Sequence, residues 1–209
     1  MKLTLHDYRR CPFCIRTRIV LHLKNINHEI VNEPLREWTD WMLANVDKPR
    51  VPVLHIEKIS GEEIVMPESN EINLWLDSNF GGVEFTPEDK EIYREMEDWW
   101  DWCGNVFKQQ IDLYKYGKDR VFQDDAHAYH TEDLKGMLQK IENKLEDRTY
   151  LLGETLTLAD IAIIPFIRQI MRTRNGEFNF TPYQNILRWS ALILDQEWFD
   201  DIVMAKRDT

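Results

Sequence analysis

An α/β domain followed by an all-α domain is the fold class predicted by this 209-residue chain. Three observations carry it. Apolar periods of two alternate with periods of three to four up to residue 80, a paired-glycine break follows at Asn79-Phe80-Gly81-Gly82-Val83, and only helical periodicity continues beyond. The expected division is therefore residues 1–79, a linker over 80–88 and a helical domain over 89–209. By size scaling such a chain can bury about 70% of its unfolded surface, so a sizeable core is available.

Each element has its own signal. Residues 2–6 alternate apolar and polar side chains like a half-buried strand, and Pro12 sits where a first helical residue tolerates a missing amide proton. Ile15, Ile19, Val20, Leu23 and Ile26 then share one helix face. Residues 28–32 read as a short strand, while Leu35, Trp38, Met42 and Val46 recur at helical spacing. A strand with an early proline covers residues 50–56, another covers 62–66 after the Ser60-Gly61 turn, and a helix turns Ile72, Trp75 and Leu76 inward. Past the break, Ile92, Met96, Trp99, Cys103 and Val106 make one helical stripe, and Leu134, Leu138, Ile141 and Leu145 make another. A further helix starts at Leu156-Thr157-Leu158-Ala159-Asp160-Ile161: Thr157 and Asp160 can form a capping box, with Leu156 and Ile161 as its hydrophobic staple. Pro165 lies inside that helix.

Between the first strand and the first helix stands Cys11-Pro12-Phe13-Cys14. Two thiols separated by two residues at a helix start describe a redox site. Cys11 occupies the N-cap region, where unpaired amides and the helix dipole favour a thiolate over a thiol. Arg9, Arg10, Arg16 and Arg18 are expected to push the same way, although Arg18 is expected to be a solvated charge on the helix face. Cys14 lies one turn in, shielded and placed to resolve a mixed disulfide. A zinc half-site would need a second ligand pair, and the only other cysteine is Cys103, which falls on an apolar stripe and reads as a small buried hydrophobe. No metal is expected.

The formal net charge of −11 argues against nucleic acid or an anionic membrane as a bulk partner. Residues 1–30 nevertheless carry six Lys/Arg against two Asp/Glu, so the cysteine helix is expected to be a positive site on an acidic body, with Arg9 and Arg10 supplying cleft charge. Such a site suits a small anionic thiol. Three cysteines make no disulfide framework, no segment approaches the ~20 apolar residues of a membrane span, and no signal peptide is evident, so a soluble, cytoplasmic protein is expected. The run Trp99-Trp100-Asp101-Trp102 reads first as core packing, then as a binding platform. His127 and His130, near Asp124 and Asp125, read as a surface pair. Tyr8 is a candidate to line the cleft.

Cys11-Pro12-Phe13-Cys14, Val51-Pro52 and Pro67-Glu68-Ser69, in that order, resemble the thioredoxin-like domain of the glutathione transferase and glutaredoxin superfamily. The resemblance implies a mixed four-stranded sheet with helices, followed by the family's helical C-terminal domain, whose folding core contains a capping motif like that at Thr157 and Asp160. It implies glutathione as co-substrate, a cis Val51-Pro52 bond, pairing of the Val51 backbone with the cysteinyl part of glutathione, a hold on the γ-glutamyl end by Glu68 and Ser69, and a place for Phe13 beside them. The physical chemistry agrees: a serine at a helix N-terminus can bind a carboxylate, and Glu68 can accept from an ammonium. An ordinary helix cap is the plainer reading of Glu68 and Ser69 taken alone.

The motifs look most like two-domain bacterial glutaredoxins, while residues 158–166 look more like bacterial glutathione transferases. A thioltransferase with Cys11 as nucleophile and Cys14 resolving is the leading expectation. A transferase joining glutathione to small electrophiles is the alternative, though the family's conjugating members usually place a hydroxyl where Cys11 stands. A non-enzymatic binding or regulatory protein of the same fold is a third reading, against which both cysteines argue. The second partner would be a small electrophile or disulfide, and the resemblance allows a monomer or a homodimer.

Overall fold

The computed structural model describes residues 1–34, 37–116 and 126–206, with the backbone alone at 126–130, 174 and 175. By contacts the chain forms two units. Met1–Glu84 and the C-terminal segment from Glu197 make the first, and Phe85–Gln196 makes the second. The expected break at 80–88 had left the C-terminal segment with the helical unit. It packs instead on the cysteine helix of the first.

The first unit runs β1 (Lys2–Asp7), α1 (Pro12–Leu23), β2 (Glu29–Asn32), α2 (Asp40–Asn45), β3 (Val53–Glu57), β4 (Glu63–Met66) and α3 (Ser69–Asn79). Its sheet has the order β2-β1-β3-β4, with β1 parallel to β2 and antiparallel to β3, and β3 antiparallel to β4. Leu5 pairs across the sheet with Ile30 on one side and Leu54 on the other. Because β1 is central, Thr4 and His6 are buried along with Leu3 and Leu5, which corrects the half-buried reading of this strand. Proline opens the third strand without breaking it, since pairing begins only at Val53, after a cis Val51-Pro52 peptide bond.

The second helix is shorter than its apolar spacing suggests. Thr39 ends its approach: the Thr39 hydroxyl accepts from the Met42 amide at 3.3 Å, and the Thr39 amide and hydroxyl both donate to the buried Glu33 carboxylate, at 3.1 and 2.7 Å. Only Asp40–Asn45 is therefore helical, Trp38 packs from outside the helix onto Met42, Val46 and Val53, and Leu35 lies outside the described residues.

Two buried ion pairs and a buried histidine–carboxylate hydrogen bond, in which burial lowers the His6 pKa, fasten the elements around the sheet. His6 Nδ1 meets Glu33 at 2.7 Å, Arg18 donates to Asp7 at 2.5 Å, and Lys24 at the end of α1 reaches Asp77 of α3 at 2.9 Å and the Phe80 carbonyl at 2.8 Å. Arg18 is thus almost wholly enclosed, contrary to the solvated charge expected at that position. A turn of π-helix at Phe199–Val203 packs on α1, and Trp198 stacks on His22 with ring centroids 4.8 Å apart.

The second unit contains α4 (Lys90–Trp102), a π-helical turn (Cys103–Phe107), α5 (Lys108–Tyr116), α6 (Ala126–Lys144), α7 (Leu158–Arg172) and α8 (Gln184–Leu194). Its buried stripe starts later than expected, at Met96, and passes through Trp99, Trp100, Cys103, Phe107, Ile111 and Tyr114, while Ile92 and Val106 at the ends of the anticipated stripe are exposed. Trp99 and Trp100 are core residues, and the Trp100 indole donates to the Leu158 carbonyl at 3.0 Å. Cys103 is buried and donates weakly to the Ala162 carbonyl at 3.5 Å. The side chains of His127 and His130 and all of Asp124 and Asp125 lie outside the described residues. No described helix is long and apolar enough to cross a membrane.

Asp160 organises this unit. Its wholly buried carboxylate accepts from the amides of Thr157 and Leu151 at 2.9 and 2.8 Å, from the Thr157 hydroxyl at 2.8 Å and from the Trp189 indole at 3.0 Å. The return half of the capping box is therefore joined to a loop and to α8. Burial raises the Asp160 pKa, and these four donors oppose the rise. Asp160→Ala should strand three buried N–H donors and cost about 3 kcal/mol or more, beyond the ~1 kcal/mol of a lost cap. Urea unfolding would measure it; an unchanged midpoint would show that the network carries no stability.

Candidate active site

Strand β1 ends at Asp7, and the chain turns through Tyr8, Arg9 and Arg10 before Pro12 opens α1. The Cys11 amide donates to the Tyr8 carbonyl at 2.9 Å, which closes the turn and sets Cys11 as the extended N-cap residue. Proline at the first helical position fixes the backbone angle there, where its missing amide proton would have had no intrahelical partner. Cys11 is half-buried, Cys14 is fully buried, and the Tyr8 amide donates to Cys14 Sγ at 3.4 Å.

The two thiols are unequal. The pKa of Cys11 is lowered to about 7, first because the Cys14 S–H donates to it, then because the amides of Cys14 and Phe13 point at it; burial and the Asp7 carboxylate act in the opposite direction. Cys14 is pushed well up, mostly by burial and then by the same thiol contact and the charge of Asp7. The helix start thus acts as expected. The arginines are not among the main causes of the shift at Cys11.

Each arginine is engaged elsewhere. Arg9 donates to the Met204 carbonyl at 3.0 Å, and Arg10 to the Tyr8 hydroxyl at 2.9 Å. Arg16 is buried with its guanidinium 4.7 Å from the Phe13 ring centroid, donating to Asn70 Oδ1 at 3.1 Å and Ser69 Oγ at 3.4 Å. Arg18 is held by Asp7.

Of the other residues singled out from the sequence, Val51 lies against Cys11. Cys11 Sγ lies 3.8 Å from the Val51 carbonyl oxygen, beside the cis Pro52 bond that the resemblance implied. Ser69 begins α3 and is buried, and Glu68 is the N-cap residue of α3 with no side-chain capping bond, so this pair does not serve as an ordinary helix cap. Glu68 instead pairs with Arg50 at 2.7 Å, both side chains about half exposed. A cleft of about 380 Å³ adjoins them, lined by Asn45, Lys48, Arg50, Val65 and Pro67 among others. Cys11, Phe13, Val51, Pro52 and Ser69 are thereby brought to one end of the sheet, with Glu68 at its rim. Arg9 and Arg10 flank the turn.

Sequence reasoning missed Asp7 and its buried pairing with Arg18, the Arg16–Ser69 contact and the Arg50–Glu68 pair. Spacing offered a signal for the side of Arg18 only, because Cys14 and Arg18 lie four residues apart on α1 and so share a face. Among the described residues no group of three or more His, Cys, Asp or Glu side chains is placed to hold a metal ion.

Comparison with known proteins gives a consistent result. Residues 5–84 match the glutathione S-transferase N-terminal domain and residues 109–197 the glutathione S-transferase C-terminal domain. The chain is 30% identical over 163 residues to glutathione S-transferase L1 of Arabidopsis thaliana, an overlap of 76% of this chain and 62% of that protein. It is 26% identical over 207 residues to glutathione S-transferase omega-1 of Sus scrofa, covering 98% of this chain and 81% of the relative. Among solved structures, FzlA from C. crescentus superposes with a TM-score of 0.85 at 19% identity over 100% of this chain and 94% of its own. A glutathione transferase from Burkholderia graminis, solved with two glutathione molecules per subunit, gives 0.82 at 20% identity over 100% and 90%. These likenesses are ones of fold.

The thiol geometry makes its own prediction. The rate of Cys11 alkylation should titrate with a midpoint near 7, and Cys14→Ala, which removes the donor, should move it upward, whereas Cys14→Ser should largely spare it. A midpoint at ~8.5, the value of a free thiol, would contradict the contact.

Proposed function

The chain belongs to the glutathione S-transferase family, and on that premise we propose that it is a glutathione-dependent thioltransferase with Cys11 as nucleophile. The observation that carries this reading is the pairing of a thiolate-forming Cys11 with a buried, protonated Cys14 that donates to it. A hydroxyl would activate bound glutathione without being consumed. A thiolate of pKa about 7 is itself a good nucleophile toward disulfides at neutral pH.

The cycle follows from the chemistry of the two sulfurs. Cys11 thiolate attacks the glutathione sulfur of a mixed disulfide; the old S–S bond breaks, the substrate leaves as a thiolate that takes a proton from water, and Cys11 is left bonded to glutathione. A second glutathione thiolate attacks that glutathionyl sulfur, releasing oxidised glutathione and restoring Cys11 thiolate. In sum, one glutathione thiol and the mixed disulfide become a substrate thiol and oxidised glutathione, and the proton that glutathione loses balances the one the substrate takes up. In this reading the Val51 backbone pairs with the cysteinyl part of glutathione as an added strand would, Phe13 packs beside it, and Ser69 with the α3 amides holds the γ-glutamyl carboxylate. Glu68 exchanges Arg50 for the γ-glutamyl ammonium, and the cations of Lys48 and Arg50 suit the remaining carboxylate.

Cys14 adds a second route. It can attack Cys11 in a mixed disulfide and release a protein thiol directly, but burial keeps it protonated, so this route should be slow at neutral pH and accelerate as pH rises. Conjugation of glutathione to a small electrophile is the second reading, favoured by the transferase names of both relatives described above.

Cys11→Ser should abolish thiol transfer, while Cys14→Ser should spare deglutathionylation of a small mixed disulfide and impair reduction of protein disulfides. Assays of both variants against a mixed disulfide and an aromatic halide separate the readings, because a conjugating enzyme would keep or gain activity in Cys11→Ser. Robust thiol transfer by that variant would end the proposal. For the clamp, Ser69→Ala should raise the KM for glutathione several-fold and leave kcat nearly unchanged; an unaltered KM would remove Ser69 from the binding set.

A further inference from the structure

We infer that Arg18 is a positioning residue of the thiol site, its guanidinium neutralising the buried Asp7 carboxylate that faces both cysteines and pinning the turn that carries them. The inference rests on the reading of Cys11 as a reactive thiolate. It concerns how that thiolate is maintained.

Arg18 Nη1 donates to Asp7 Oδ2 at 2.5 Å, and Nη2 donates to the Arg9 carbonyl at 2.6 Å and lies 3.9 Å from Met204 Sδ. Asp7 and Arg9 flank Tyr8. The Tyr8 carbonyl receives the Cys11 amide at 2.9 Å, and the Tyr8 amide donates to Cys14 Sγ at 3.4 Å. One planar guanidinium therefore grips both neighbours of the residue that touches both cysteines, a bidentate task for which lysine has no equivalent geometry.

The second half of the argument is charge. Asp7 is almost wholly buried, where a carboxylate acts over several ångströms with little screening, and it opposes ionisation of Cys11 and Cys14 alike. Among the described residues, other charged or titratable groups on the elements around the thiols have partners: Arg9 has Met204, Arg10 has Tyr8, Arg16 has Asn70 and Ser69, Arg50 has Glu68, and His6, whose pKa burial lowers, has Glu33. Arg18 is the ion pair made directly with Asp7. Removing it takes away the positive charge that offsets Asp7 beside the cysteines.

The test is the pH dependence of Cys11 alkylation by iodoacetamide in the full chain, with folding checked by circular dichroism. Arg18→Met should raise the midpoint by about one unit from its value near 7 and slow alkylation at pH 7 about fivefold. Adding Asp7→Asn should bring the midpoint back, Asp7→Asn alone should leave it unchanged or lower it, and Arg18→Lys should fall between wild type and Arg18→Met. An unmoved midpoint in folded Arg18→Met overturns the inference. So does a midpoint raised equally in Arg18→Met and in the double variant, which would mean a packing role without a charge role. If Arg18→Met does not fold, Asp7→Asn decides alone: a raised midpoint refutes the inference, and an unchanged or lowered one upholds it. Alkylation needs no glutathione, so a failed shift leaves thiol transfer to its own assay, and absent thiol transfer with an intact shift does the converse.

Discussion

A thiolate at Cys11 needs hydrogen-bond donors that have no partners of their own, and the passage from β1 into α1 is where the chain supplies them. The first amides of any helix lack intrahelical acceptors. Here the Cys11 amide is taken by Tyr8, Pro12 has none, and those of Phe13 and Cys14 point at the sulfur. The central strand fixes where this helix begins, because β1 is paired on both sides and buried on both faces. The neighbouring strand β3 must start just after Pro52, which brings the Val51 carbonyl to 3.8 Å from Cys11. Sheet order, helix start and reactive sulfur are consequences of one junction.

Buried ion pairs and one buried histidine–carboxylate hydrogen bond surround that junction, and their purpose is better read as registration than as stability. Removing two charges from water costs several kcal/mol per ion, and well-packed apolar groups often do as well. Yet His6–Glu33 links the end of β1 to the cap of α2, Arg18–Asp7 links α1 to the end of β1, and Lys24–Asp77 links the ends of α1 and α3. An apolar contact would tolerate a slip of an ångström. A guanidinium on a carboxylate does not.

What could be read from the sequence was local. The two-cysteine motif, the proline at the helix start, the Val51-Pro52 opening and the Thr157–Asp160 box each announce themselves within a few residues, and the structure puts each in its expected element. Arg18 was not readable as a buried residue, because an arginine on a helix is ordinarily solvated and its partner Asp7 lies in another element. The four donors on Asp160 show the same limit: the cap bond was foreseeable from spacing, but Leu151 and Trp189 reach it only through the tertiary fold. The second helix failed for a related reason. Its apolar spacing was sound, but Glu33 draws Thr39 into a cap and starts the helix late.

The difference between the two thiols bears on why Cys14 is present at all. A resolving cysteine is usually explained by the disulfide it forms, yet here its first physical effect is as a hydrogen-bond donor to the Cys11 sulfur, and burial keeps it in the protonated state in which it can donate. Burial thus strengthens the first role and weakens the second, since a protonated sulfur cannot attack. The two roles also differ in timing. While Cys11 is an anion the S–H of Cys14 has an acceptor, and once Cys11 is bound in a mixed disulfide that acceptor loses its charge, leaving Cys14 poorly solvated and close to the sulfur it would attack. Under the proposed thiol transfer, the same geometry that maintains Cys11 as nucleophile also places Cys14 to resolve, with its ionisation as the remaining barrier.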